Sequence, residues 1–242
     1  MKKIALFAFS CFLINSLLAQ DSAYNKKKKE PINLAGRAND HFLLQFAYTN
    51  WAGTPDSIDT EGFSKSFNVY FMFDFPFKTN PNLSIGIGAG IASDHILFKE
   101  TYIGIKDITP TLRFTNQSDT NHFKKTKLNT TYFEAPVELR YVSNPLHSDK
   151  SFKASIGVKV GALMSAHTRN VNMENKNDQT VNEYTMKEKA KNFFNTTRLV
   201  GTARVGYSYF SVYGSYQLTP LFKDGRSAQI FPFSIGLTIS GL

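Results

Sequence analysis

The chain carries one cysteine, Cys11, and it lies within the first twenty residues. Disulfides, the usual staples of small exported domains, are therefore excluded from the rest of the chain. Beyond the N-terminus, apolar residues never run uninterrupted for the roughly 20 positions a spanning helix needs. Helical periodicity is almost absent. None of the five histidines, His41, His95, His122, His147 and His167, has zinc-ligand spacing. No Gly-Lys-Ser/Thr follows a glycine-rich turn, so a phosphate-binding loop is excluded. The run LSIGIGAGI (83–91) places Gly86, Gly88 and Gly90 two apart. A dinucleotide fingerprint needs G-x-G-x-x-G opening a helix, and the spacing here fails that test. The expectation is no cofactor, no resident metal and no nucleotide.

The N-terminus is positive evidence. MKKIALFAFSCFLINSLLAQ has a basic start at Lys2 and Lys3, an apolar run, and a small residue at Ala19. Residues 1–19 read as a secretory signal peptide cleaved after Ala19. The run is short for an uncleaved anchor, and Phe-Ser before an early Cys11 speaks against a lipoprotein. Residues 20–37, with Lys26 to Lys29 consecutive, read as a basic, disordered leader. The formal net charge is +9, and removing Lys2 and Lys3 leaves +7. For an exported chain, nucleic acid is excluded as a partner. Anionic headgroups and lipopolysaccharide phosphates fit the charge better.

Residues 38–242 alternate with period two, the signature of half-buried strands. Eight segments show one apolar parity. They carry Phe42, Leu44, Phe46 and Tyr48; Phe67, Val69, Phe71, Phe73 and Phe75; Leu83, Ile85, Ile87, Ala89 and Ile91; Phe133, Ala135, Val137, Leu139 and Tyr141; Phe152, Ile156, Val158, Val160 and Met164; Leu199, Gly201, Ala203, Val205 and Tyr207; Phe210, Val212, Gly214, Tyr216 and Leu218; Phe231, Phe233, Ile235, Leu237 and Ile239. No charged residue falls in this parity, and aromatics gather toward strand ends. The other parity is small or polar. It includes Gln45, Asn68, the three glycines of LSIGIGAGI, and Asp74, Glu134, Glu138, Arg140, Lys153, Lys159, Arg198 and Arg204.

A soluble exported barrel binding an apolar ligand would bury the apolar parity. A membrane barrel turns it to lipid, where a charge near mid-bilayer costs about 2–4 kcal/mol. The charge-free parity, the glycines on the polar face and the signal peptide favour the membrane. Connections alternate in length: 51–65, 94–128, 168–194 and 219–229 are long, and 76–82, 143–150 and the Ser208-Tyr209 turn are short. The expected fold is all-β: an eight-stranded antiparallel up-and-down transmembrane β-barrel with long extracellular loops and short periplasmic turns. The 94–128 connection has room for an extra hairpin near Thr101–Phe114. Pro136 breaks a local rule, since a closed barrel has no free edge, and a bulge is expected there.

The lumenal charges invite an ion path or a binding site. An eight-stranded barrel is filled by its own side chains, so a paired structural network is the preferred reading, with a narrow porin as the alternative. Centring the 143–150 turn sets Glu134 opposite Lys159 and Glu138 diagonal to Lys153. Ser93 with His95, and Ser165 with His167, lie near outer strand ends, where a surface lipase or acyltransferase could use them. No third partner is evident, so no enzymatic activity is expected. The basic stretches HFKKTK (122–127) and MKEKAKNFF (186–194) suit lipopolysaccharide contact or partner capture.

At YFEAPVELRY (132–141), Tyr132, Glu134, Pro136, Leu139, Arg140 and Tyr141 resemble the E-x-P-x-x-L-K/R-Y strand of PorT-family outer-membrane barrels of Bacteroidetes. SVYGSYQLTPLF (211–222) and PFSIGLTISGL (232–242) resemble that family's last hairpin. The resemblance implies a monomeric, eight-stranded outer-membrane barrel, inserted by the barrel-assembly machinery, with a link to secretion-apparatus proteins of the type IX system. It implies no catalytic residues.

Overall fold

A computed structural model describes residues 41–55, 58, 60 and 62–241. The expected signal segment 1–19, the leader 20–37 and residues 38–40 of the barrel domain lie outside the described residues. Eleven strands follow one another: β1 (Phe42–Ala52), β2 (Lys65–Pro76), β3 (Leu83–Phe98), β4 (Thr101–Ile103), β5 (Phe114–Asn116), β6 (His122–Val142), β7 (Phe152–Glu174), β8 (Thr180–Lys189), β9 (Thr197–Tyr207), β10 (Phe210–Gln217) and β11 (Phe231–Ser240). Eight of them close a ring in the order β1-β2-β3-β6-β7-β9-β10-β11, with β11 returning to β1. Every pairing is antiparallel. Ring closure leaves no sheet edge among these strands.

Period-two alternation sorts the side chains onto two faces. Ile156, Val212 and Leu237 point outward and are 65%, 57% and 60% exposed. Glu134, Glu138 and Lys159 point inward and are 1%, 2% and 3% exposed. A water-soluble barrel would have these faces reversed. Aromatics form a rim at the short-turn end, where Phe152, Tyr207 and Phe210 are register neighbours. On β2 they do not keep to the ends. Phe67, Phe71, Phe73 and Phe75 cover most of its height, with the Phe46 and Phe67 rings 4.8 Å apart.

Two expectations change, and one possibility left open is answered. First, the strands run further than the apolar parity. β3 continues to Phe98, β6 begins at His122, and β7 and β8 form a hairpin through much of the expected 168–194 loop. Once the outer face leaves the apolar band, nothing requires it to stay apolar, so hydropathy stopped short. Second, the hairpin anticipated near 101–114 exists as β4–β5, a separate two-stranded sheet, and it leaves the ring at eight. Third, Pro136 causes no bulge. The β3–β6 register is the same on both sides of it, Ile87 with Val137 and Gly90 with Glu134, and only the ladder is interrupted. The missing N–H costs a hydrogen bond without adding a residue. The bulge lies elsewhere, between Thr131 and Tyr132, where β7 has the extra Met164.

The long-connection end holds a core of its own. Trp51, Ile96, Phe98, Leu128, Phe194 and Phe222 are among its buried members. The Trp51 ring lies 5.2 Å from Phe98 and 6.0 Å from Phe222. These residues come from strand extensions and loops, and they cap the ring interior from above.

Candidate functional site

Two polar regions carry the chemistry, one inside the ring and one on its outer rim. Inside, Glu134 is the hub. It accepts from Arg198 Nε at 2.6 Å and from the Tyr70 hydroxyl. Arg198 also donates to Asp94 at 2.7 Å, and its guanidinium stacks 3.8 Å from the Tyr132 ring centre. Lys159 donates to Gln45 Oε1 at 3.0 Å and to Tyr70 Oη at 3.2 Å. A second cluster sits nearer the short turns. Glu138 accepts from Arg140 Nε at 3.0 Å and Arg204 at 2.9 Å, and Arg140 lies 3.8 Å from Asp74. Glu134, Glu138, Arg140, Lys159, Arg198 and Arg204 are buried, where charges need partners, and Asp94 and Asp74 are partly buried.

The expected pairings are corrected. Glu134 stands opposite Gly161, and Lys159 stands opposite Pro136. The turn was centred one residue off, which shifts each partner by two, because the residues around the Ser148–Lys150 3-10 turn do not count evenly on both sides. Glu138 pairs with Arg140 and Arg204, and in the register it faces Gly157 while Lys153 faces Val142, so the expected diagonal does not form between those strand positions. Asp94, Tyr70, Tyr132, Tyr213 and Gln45 were missed as network members. Asp94 was assigned to a loop, although the alternation Ala92, Asp94, Ile96 continues inward and could have revealed it.

Glycine creates the space. Glu134 is flanked in register by Gly90 and Gly161, and Glu138 by Gly86 and Gly157. A Cβ on Gly86 would come 2.5 Å from Arg140 Nε, and one on Gly90 2.5 Å from the Tyr70 ring. At Gly88 it would strike the Met72 sulfur and the Phe71 carbonyl. The remaining interior space is small. The cavity at Tyr70, Glu134, Lys159 and Arg198 measures about 20 Å³, as does the one at Arg140, Lys153 and Arg204. Each holds roughly one water.

The outer rim lies just above the apolar band, on β2, β3, β6, β7 and β8. Ser93 Oγ is 3.3 Å from His95 Nε2. His95 Nδ1 is 2.8 Å from Asn129 Oδ1, and Asn129 Nδ2 is 3.0 Å from His167 Nε2. Ser165 faces Thr131 in the register, and His167 has turned to Asn129. Lys65 and Lys189 stand in the same row as His95, Asn129 and His167, and Lys125, Lys127, Arg169 and Lys187 stand higher on the same outward face. No carboxylate pairs with any of these six among the described residues. Burial, then Lys65, Lys125 and Arg169, hold the Lys127 ammonium below its usual pKa. Burial, then Lys187, His95 and Lys189, do the same for His167.

One group could hold a cation. Glu100, His122 and Asp178 bring ligand atoms within 4.8 Å of one another, and His122 Nε2 lies 3.3 Å from Asp178. Sequence spacing concealed it, because Glu100 lies between β3 and β4, His122 opens β6 and Asp178 lies between β7 and β8.

A closed antiparallel ring with charge inside and an apolar band outside defines the class of outer-membrane β-barrel proteins. Residues 19–226 match the family model of the outer membrane protein beta-barrel domain, and the chain belongs to that family. No curated protein matches the chain.

Proposed function

We propose that the chain is an integral eight-stranded transmembrane barrel, filled by its own side chains, with a structural or interaction role at the cell surface. The single observation carrying this is the inversion of faces: paired charges buried within, exposed aliphatic and aromatic residues without. The apolar stretch Leu83–Ile91 has the length of about 9–11 residues that a tilted spanning strand needs. The short turns face the periplasm, and the long connections face outward. This orientation sets the six-cation rim at the level of the outer leaflet. Lipopolysaccharide phosphates are its natural counter-ions, and long-range attraction supports that contact.

The filled lumen favours a silent barrel over a narrow porin. In planar bilayers the purified protein should show no steady unitary conductance, and reproducible steps would overturn this reading. The resemblance of residues 132–141 to PorT-family barrels supports an accessory role in type IX secretion. Within that motif, Tyr132, Glu134 and Arg140 belong to the interior network, while Leu139 and Tyr141 face outward. A deletion strain that secretes type IX cargo normally would refute the secretion role.

A further inference from the structure

We propose that Ser93, His95 and Asn129 form an acyl-ester hydrolase site on the outer face of the barrel, acting on phosphate-bearing membrane lipids. The connectivity is that of a nucleophile, a base and an orienting group. His95 Nδ1 lies 2.8 Å from Asn129 Oδ1, which can only accept, so the proton sits on Nδ1. Nε2 then presents its lone pair to Ser93 Oγ at 3.3 Å. Asn129 is itself fixed, because its Nδ2 donates to His167 Nε2 at 3.0 Å. Burial, then the charges of Lys187, His95 and Lys189, lower the His167 pKa and so favour the neutral ring that accepts that bond. The strand pairing places Ser93 and His95 on one outward row of β3 and Asn129 beside them on β6.

The surroundings fit a lipid ester. A groove of about 490 Å³, within the range of small-ligand sites, runs from His95 and Lys65 over Phe46, Tyr48, Phe63 and Phe67. It is apolar along its length, as an acyl chain requires. Lys65 is the register partner of His95, and Lys127 and Arg169 stand one row higher. They suit a phosphate one headgroup away from the ester. The Thr131 hydroxyl, 3.4 Å from Ser93 Oγ, and the Lys65 ammonium are the groups at hand for a developing oxyanion.

In the reaction, Ser93 Oγ attacks the ester carbonyl carbon while His95 Nε2 takes the hydroxyl proton. The ester C–O bond breaks, and His95 returns that proton to the leaving alcohol. Water then attacks the acyl-serine, giving up a proton to His95, and Ser93 Oγ departs and regains it. The products are a free fatty acid and the deacylated lipid. Ser93 and His95 are catalytic residues, and Asn129 is a positioning residue.

The inference rests on the membrane reading for its lipid substrate, and two kinds of substrate, membrane lipids and a soluble ester, separate the claims. Full-length mature protein in detergent would be given phosphatidylethanolamine in mixed micelles, lipid A in mixed micelles, and p-nitrophenyl butyrate in solution. Fatty acid release would be read by mass spectrometry, and Ser93 by adduct formation with a fluorophosphonate. The expected result is release from one or both lipids and one adduct, at Ser93. Phosphatidylethanolamine and lipid A distinguish the two lipid sources. Ser93→Ala should abolish release and adduct. His95→Ala should lower kcat by about 10²–10⁴-fold. Asn129→Ala should lower kcat with little change in KM, and Asn129→Asp should restore most of it. Heat-modifiable mobility would confirm that each variant is folded. Wild type that releases no more fatty acid than Ser93→Ala from any of the three esters, and forms no adduct, overturns the proposal. Cleavage of the soluble ester alone, by protein that stays soluble without detergent, keeps the site and overturns the membrane reading.

Discussion

Removing Glu134 should be among the most damaging single changes in the barrel. Its carboxylate accepts a charged hydrogen bond from Arg198 at 2.6 Å and a second from Tyr70. A hydrogen bond to a charged group contributes about 1.5–3 kcal/mol, and leaving the Tyr70 O–H without an acceptor, while its oxygen keeps the Lys159 ammonium, costs about 1–3 kcal/mol. Arg198 keeps Asp94 at 2.7 Å, and Lys159 keeps Gln45 at 3.0 Å, so neither cation is stranded. The cost of Glu134→Ala should therefore fall at about 3–5 kcal/mol, the range for breaking a buried ion pair. Glu134→Gln, which keeps an acceptor, should cost less. Arg198→Met alone should also be severe, because it leaves Glu134 and Asp94 facing each other. The double variant should cost less than the sum of the singles, with a coupling of about 1–3 kcal/mol. Reversible urea unfolding in lipid vesicles would measure this. The single tryptophan, Trp51, is buried in the upper core and reports the transition. A loss below about 1 kcal/mol for Glu134→Ala, with no coupling to Arg198, would refute the network as a source of stability.

Three further outcomes follow from particular contacts. Gly88→Leu should prevent assembly, seen as loss of heat-modifiable mobility, because even a Cβ meets the Phe71 carbonyl; Gly214→Ala, with nothing within 4 Å, should fold normally. Phe222→Ala should cost about 3–5 kcal/mol in the same urea assay, because Phe222 is 2% exposed and packs on Trp51 and Phe194. Replacing Lys127, Arg169 and Lys187 together by Gln should leave folding intact and weaken retention of lipid A, measured by native mass spectrometry; unchanged retention would exclude the rim as its site.

Alternation exposed the two faces, because a lipid-facing side chain and a lumenal one are chemically opposite at adjacent positions. It could not reveal where a strand ends once both faces are polar. Asp94 therefore read as a loop residue, although it lies in β3. The lumenal acids and bases were legible as a set, but their pairing was not. A one-residue error in centring one turn moves every partner by two along the barrel, and Glu134 was matched to Lys159 in place of Arg198. The third member beside Ser93 and His95 was invisible for the same reason. Asn129 lies 34 residues along the chain from His95, and only the β3–β6 register brings it near. The glycines of LSIGIGAGI were legible as space-makers. Which side chains fill the space, Arg140 beside Gly86, Met72 beside Gly88 and Tyr70 beside Gly90, required the register.

The orientation of the two faces decides the whole account. Single cysteines can be placed at Val158, Val212 and Leu237 on the outer face, and at Ser155 and Thr202 on the inner one, in protein made without residues 1–19 and so without Cys11. Each would carry a nitroxide label in reconstituted vesicles. The account predicts that the three outer labels collide with oxygen dissolved in the lipid and not with a water-soluble nickel complex, while the inner two show neither lipid exposure nor free motion. Outer labels open to the nickel complex, with inner labels in an apolar environment, would contradict it.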